Sequence, residues 1–156
     1  MTSTPSLRPV LITDLHIGGI ASVRVMNAPE FGLIEHYIVS AGELVDILAN
    51  KLPSIGEMLM YSVSGEHVNC MRFGFVPEEV IIVKNDTPAV YWLNEVYVVK
   101  IANTLHLSEL VYGEDHLHHY RLIDGVLLPA ESRSDASPEV VGRVVASIIL
   151  PAPFPN

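Results

Sequence analysis

Apolar residues change their spacing along this chain, and the changes divide it into elements. Residues 10–13 and 20–26 are short apolar runs joined through Gly18 and Gly19, the pattern of two strands and a turn. From Asn27 the period lengthens. Pro29 and Glu30 suit the first turn of a helix, and Phe31, Ile34 and Ile38 follow at spacings of three and four. This predicts a first helix, with a strand over 33–39 as the competing reading. Ser40, three residues before Glu43, forms a capping box in which the hydroxyl takes a free amide and the carboxylate reaches back. Leu44, Ile47, Leu48 and Leu52 then make one helical stripe, and Pro53 ends it.

Beyond Glu57 the pattern is that of strands. Residues 57–63 and 66–73 flank Ser64-Gly65 as a hairpin, 80–83 is a short buried strand, and 85–88 is a turn. Residues 90–101 read as one long strand or two broken near Asn94. Asn103-Thr104 turns the chain into 105–112, and Gly113, Glu114 and Asp115 turn it again into 116–123. Ser137, Pro138 and Glu139 look like a further helix start, followed by Val140, Val141, Val144, Val145 and Ile148 at helical spacing. Their β-branching makes a strand the rival. The pattern predicts a single α+β domain over 10–150, a mostly antiparallel sheet packed with two or three helices around an internal pocket. A flexible start (1–9) and an extended proline-rich tail (151–156) flank it.

Composition narrows the partners. The 156 residues are 49% hydrophobic and 17% charged, enough to bury a core in one domain. A net charge of −9 with nine Lys and Arg argues against nucleic acid and against an anionic membrane surface. It leaves small molecules, a basic protein partner, or further copies in a homo-oligomer. A single cysteine, Cys70, excludes an internal disulfide framework. The opening residues lack a secretory apolar core, and the longest apolar runs are too short to span a bilayer. These features predict a cytoplasmic protein. No cofactor is expected, since Gly18-Gly19 lacks the rest of any phosphate-binding pattern.

Chemistry concentrates between Leu105 and Ile123. With a three-residue turn at 113–115, Tyr112 faces His116 and Glu109 faces His119. Alternation then puts His106, Ser108, Leu110, Tyr112, His116, His118 and Tyr120 on one face. The other face carries Leu105, Leu107, Glu109, Val111, Leu117, His119, Arg121 and Ile123. His116 and His118 form a His-x-His pair without an assured third ligand, so no metal is expected. The face with Leu105 and Leu107 is apolar except for Glu109, His119 and Arg121. There His119 is the candidate acid–base, Glu109 the carboxylate that orients it, and Arg121 the clamp for a substrate carboxylate. Lys100 joins as a second substrate-binding cation if Asn103-Thr104 is a two-residue turn. The competing reading is a salt-bridged patch on a solvated sheet edge. Asp14 and His16 make a weaker loop candidate, and Cys70 reads as a buried, inert thiol.

Three stretches together resemble the chorismate lyase family. Residues 33–52, LIEHYIVSAGELVDILANKL, are similar to its opening helix–turn–helix. Residues 90–96, VYWLNEV, resemble its Tyr-Trp-Leu-Arg-Glu strand, and 148–153, IILPAP, are similar to its closing Phe-Leu-Pro-Ala. The family's substrate-gripping arginine falls on Asn94 and its C-terminal glutamate near Ser147, so both functional groups are absent. The resemblance implies an antiparallel α+β sheet enclosing a pocket for a small, mostly apolar carboxylate, without chorismate lyase activity itself. Taken with the hairpin, the expected function is binding of a small apolar or aromatic carboxylate, with cofactor-free lyase, isomerase or cyclase chemistry if the protein is an enzyme. The alternative is a non-catalytic regulator or inhibitor that meets a protein partner through His116, His118 and Tyr120.

Overall fold

The computed structural model describes residues 7–10, 20–26, 34–52, 57–63, 74–75, 79–85, 93, 95–122, 126–129 and 139–149. They form β1 (Leu7–Pro9), β2 (Ala21–Val25), β3 (Glu35–Val39), α1 (Ala41–Lys51), β4 (Glu57–Val63) and β5 (Val80–Asn85). After these come β6 (Val96–Ile101), β7 (Thr104–Tyr112), β8 (His118–Leu122), β9 (Leu127–Pro129) and β10 (Glu139–Ile149). The strand path is β1-β4-β5-β10-β6-β7-β8-β9, with β2 added to β10 and β3 to β2. All pairings are antiparallel, and the sheet curls into a half-barrel. The expectation of an α+β domain with two or three helices is therefore corrected: among the described residues there is one helix, and the sheet dominates.

Two misread segments account for the difference. The helix–turn–helix expected over 33–52 is a strand followed by a helix. Tyr37, Ile38 and Val39 favour extended backbone, and β3 pairs residue for residue with β2, from Ala21 opposite Val39 to Val25 opposite Glu35. The helix expected after Ser137 is β10, whose eleven residues EVVGRVVASII include six that are β-branched. β10 is buried on both faces, so it shows no polar–apolar alternation to betray a strand. Its first half pairs with β6 and its last residues with β2 on one edge, while β5 occupies the other edge. Register shifts between Val140 and Gly142 and between Val144 and Ala146 bend it. Gly142 is needed at the first, because a Cβ there would collide with the backbone carbonyl of Lys84.

α1 starts and stops where the sequence puts it. Ser40 is extended (φ −83°, ψ 172°) and its carbonyl accepts the Leu44 amide at 3.0 Å, but its hydroxyl makes no capping bond. The cap position is right and the reciprocal side-chain bond is not formed. Leu52, ahead of Pro53, returns to extended backbone at ψ 154°, as a residue preceding proline must. Leu44, Leu48 and Leu52 bury against Val23, Val25, Ile82, Val145 and Ile148 on one face of the sheet. Tyr97, Val99, Leu110 and Tyr120 extend the same face toward β8. The opposite face gathers Leu7, Tyr61, Val63, Phe75, Ile81, Val83, Val96, Val98, Leu107 and Val144. We call it the first face, since the candidate chemistry lies on it. No helix among the described residues is long and apolar enough to cross a membrane.

Candidate functional site

The β6–β7–β8 hairpins decide where the predicted residues go. Ala102 and Asn103, at φ 49° and 67°, form the first turn, one residue earlier than expected. Positive φ at both central positions gives a two-residue turn the twist that the strands need. Lys100 thereby sits opposite Leu105 and Glu139. It shares the first face with Glu109 but lies four residues further along the β7 ladder, about 13 Å away at the rise of a strand. Lys100 is not brought to the site.

The second turn is longer than expected. Tyr112 pairs with His118, not His116, and a five-residue loop over 113–117 joins β7 to β8. A register slip of two residues is even, so each side chain keeps its face while its opposite number changes. Glu109 therefore faces Arg121, and His119 faces Val111. The proposed Glu109–His119 pair does not form. Arg121 instead donates from Nη2 to Glu109 Oε1. Glu109 is buried to 5% exposure, whereas the Arg121 side chain is 42% exposed.

His119 finds another carboxylate. Asp115 curls back across the loop so that its Oδ1 and Oδ2 lie 2.9 and 3.0 Å from His119 Nε2. The loop is shaped for this contact. Leu117 donates its amide to Asp115 Oδ1 at 3.1 Å, Gly113 donates to the Leu117 carbonyl at 2.8 Å, and His116 takes a left-handed φ of 66°. A Cβ on Gly113 would stand 2.5 Å from His119 Cδ2 and 2.7 Å from Asp115 Oδ1, so only glycine leaves room for the ring. The hydrogen bond from His119, reinforced by the Leu117 amide, holds the Asp115 carboxyl below its usual range. His119 is 9% exposed, and its Nδ1 is buried without a hydrogen-bond partner.

The other hairpin face is drier than expected. Ser108, Leu110 and Tyr120 are buried, with the Ser108 hydroxyl on the Tyr97 carbonyl at 3.0 Å and the Tyr97 and Tyr120 rings edge-to-face at 6.0 Å. Tyr120 thus cannot serve as a contact residue for a partner. Only the tip is wet: His118 and His116 lie against the exposed Tyr112 ring at 5.5 and 6.0 Å. No group of three metal-ligating side chains occurs among the described residues. Asp14, His16, Gly18, Gly19, Cys70 and Asn94 lie outside them.

Sequence reasoning missed a second polar cluster on the first face. Arg24 of β2 donates from Nε to Ser147 Oγ at 2.9 Å and from Nη2 to the Gly74 carbonyl at 2.9 Å. It also pairs with Glu79 and lies over the Phe75 ring, 5.3 Å from its centroid. The signal was available: Arg24 stands between Val23 and Val25, and Glu79 opens an apolar strand. Lys84, Glu95 and Arg143 are buried too, and Arg143 Nη1 donates to the Met26 carbonyl at 2.6 Å. No family model, curated protein or solved structure matches the chain.

Proposed function

We propose that this is a cytoplasmic small-molecule-binding protein that takes a small apolar or aromatic carboxylate and acts on it by cofactor-free acid–base chemistry of the lyase, isomerase or cyclase type. One observation carries the reading: Arg121 and His119 stand two residues apart on the same face of β8, the face that also carries the buried Val96, Val98 and Leu107. Glu109 holds one guanidinium nitrogen and fixes the plane of the group. The remaining N–H groups of Arg121 reach solvent and match a second carboxylate. Glu109 serves in this reading as the support of Arg121, no longer as the partner of His119. A guanidinium in partly apolar surroundings binds an anion more strongly than one in water, and the exposed Leu127, opposite Arg121, suits an aromatic ring.

Benzoate is the simplest probe. The melting temperature should rise with benzoate concentration by mass action, and the rise should vanish in Arg121→Gln. No rise in the wild type, or an equal rise in the variant, overturns the reading. The alternative, a non-catalytic protein that docks on a partner, is favoured by the exposed Tyr112 and Leu117 at the hairpin tip. Loss of a benzoate response together with partner capture sensitive to Tyr112→Ala would support it.

A further inference from the structure

We infer that Asp115 is the positioning residue of His119, and that Nδ1 of His119 is the atom that exchanges a proton with the ligand. This rests on the reading of His119 as a working base. A carboxylate accepts hydrogen bonds and donates none, so an ionised Asp115 spanning Nε2 with both oxygens requires the ring proton to be on Nε2. The neutral ring then presents its lone pair at Nδ1. That atom is turned away from the Gly113 side of the ring, where Cδ2 and Nε2 lie, and it has no partner to satisfy it. A buried nitrogen without a hydrogen bond is costly, and a ligand that brings an O–H or an acidic C–H to it removes the cost.

Three features keep this arrangement in place, and none of them packs the core. Gly113 leaves the space for the ring, the Leu117 amide fixes one Asp115 oxygen, and the left-handed His116 turns the loop so that Asp115 meets a residue four positions later. Asp115 itself is half exposed, with 51% of its side chain open to solvent.

The ligand class follows from spacing. His119 and Arg121 are two residues apart on one strand face, about 7 Å between Cα atoms. A short carboxylate gripped by Arg121 would bring an acidic hydrogen α to its carboxyl group toward Nδ1. In the step, the ligand's C–H bond breaks, its electron pair stays on the ligand as an enolate, and the proton passes to Nδ1. The imidazolium so formed has its charge beside Asp115. Return of the same proton to a different ligand atom regenerates the neutral ring and completes an isomerisation. β9, a three-residue strand, lies beside β8 in the sheet with Pro129 opposite His119.

The test needs no substrate. Long-range ¹H–¹⁵N correlation of the histidine rings, above their titration range, should show His119 with the proton on Nε2 and a pyridine-type Nδ1. In Asp115→Asn the amide can donate to Nε2, so the tautomer should invert or become mixed. Gly113→Ala, whose Cβ crowds both the His119 ring and Asp115 Oδ1, should likewise mix it. A wild-type ring protonated on Nδ1, or a tautomer unmoved by both substitutions, overturns the inference. The benzoate titration separates the two claims: a locked tautomer without benzoate binding refutes the site reading alone, and benzoate binding with an unlocked tautomer refutes Asp115 alone.

Discussion

Arg24–Glu79 and Arg121–Glu109 are the same pair of residue types on the same face of one sheet, and their surroundings make them different objects. Both glutamates are buried, at 1% and 6% side-chain exposure. The arginines differ. Arg24 is 15% exposed and engages a hydroxyl, a carbonyl, a carboxylate and an aromatic ring, which together tie β2 to β10, Gly74, Phe75 and Glu79. Arg121 is 42% exposed and spends one nitrogen on Glu109. The first pair is closed and serves the fold. The second leaves a cation edge facing outward, and it sits beside a histidine. Exposure of the cation, more than the presence of the ion pair, separates a strut from a candidate site.

The comparison breaks most directly at Glu79. Glu79→Ala removes the carboxylate from a mostly buried guanidinium and should cost about 3–5 kcal/mol in denaturant unfolding. A double replacement of Arg24 and Glu79 by Met and Leu should recover much of that loss. At the other pair the two single deletions should be unequal. Arg121→Ala removes a hydrogen-bonded cation from the buried Glu109 and should cost about 1–3 kcal/mol. Glu109→Ala should cost about 1 kcal/mol or less, because Arg121 can turn to water. Equal costs for Glu79→Ala and Glu109→Ala would erase the distinction.

The smallest effect is on pH dependence. Asp115 has a lowered pKa in the folded protein, so its contribution to loop closure is complete above its unfolded value. It is lost as pH falls through the lower folded value, below about pH 4. Protection of the Leu117 amide against exchange, relative to its intrinsic rate at each pH, should therefore fall in acid before protection around Arg24 does. Simultaneous loss at both places would mean that the loop has no independent equilibrium.

How much of this was legible depends on the residue. Alternation placed Glu109, His119 and Arg121 on one face correctly, because a two-residue register error leaves faces unchanged. It gave the wrong partners, since loop length sets register and nothing in Gly113 to Leu117 advertises a five-residue turn. The Asp115–His119 contact depends on the backbone path of that turn, including His116 at positive φ, which is uncommon for a residue other than glycine. α1 was legible from a capping position, an apolar stripe and a proline. β10 was not, because a strand buried on both faces can satisfy a helical spacing by chance, and only its β-branched content argued otherwise. β3 was mistaken for a similar reason: five residues are too few to tell a period of two from one of 3.6.

β10 also has a consequence for how the chain assembles. It follows all the other described strands in sequence, yet β2, β5 and β6 all lean on it. Until residues 139–149 have been synthesised, those three strands each present an open edge, and none of their pairings with β10 is local. Folding is therefore expected to be slow and to wait for its central strand. A nascent chain halted before Glu139 would expose unpaired strand edges, the surfaces most prone to joining another chain.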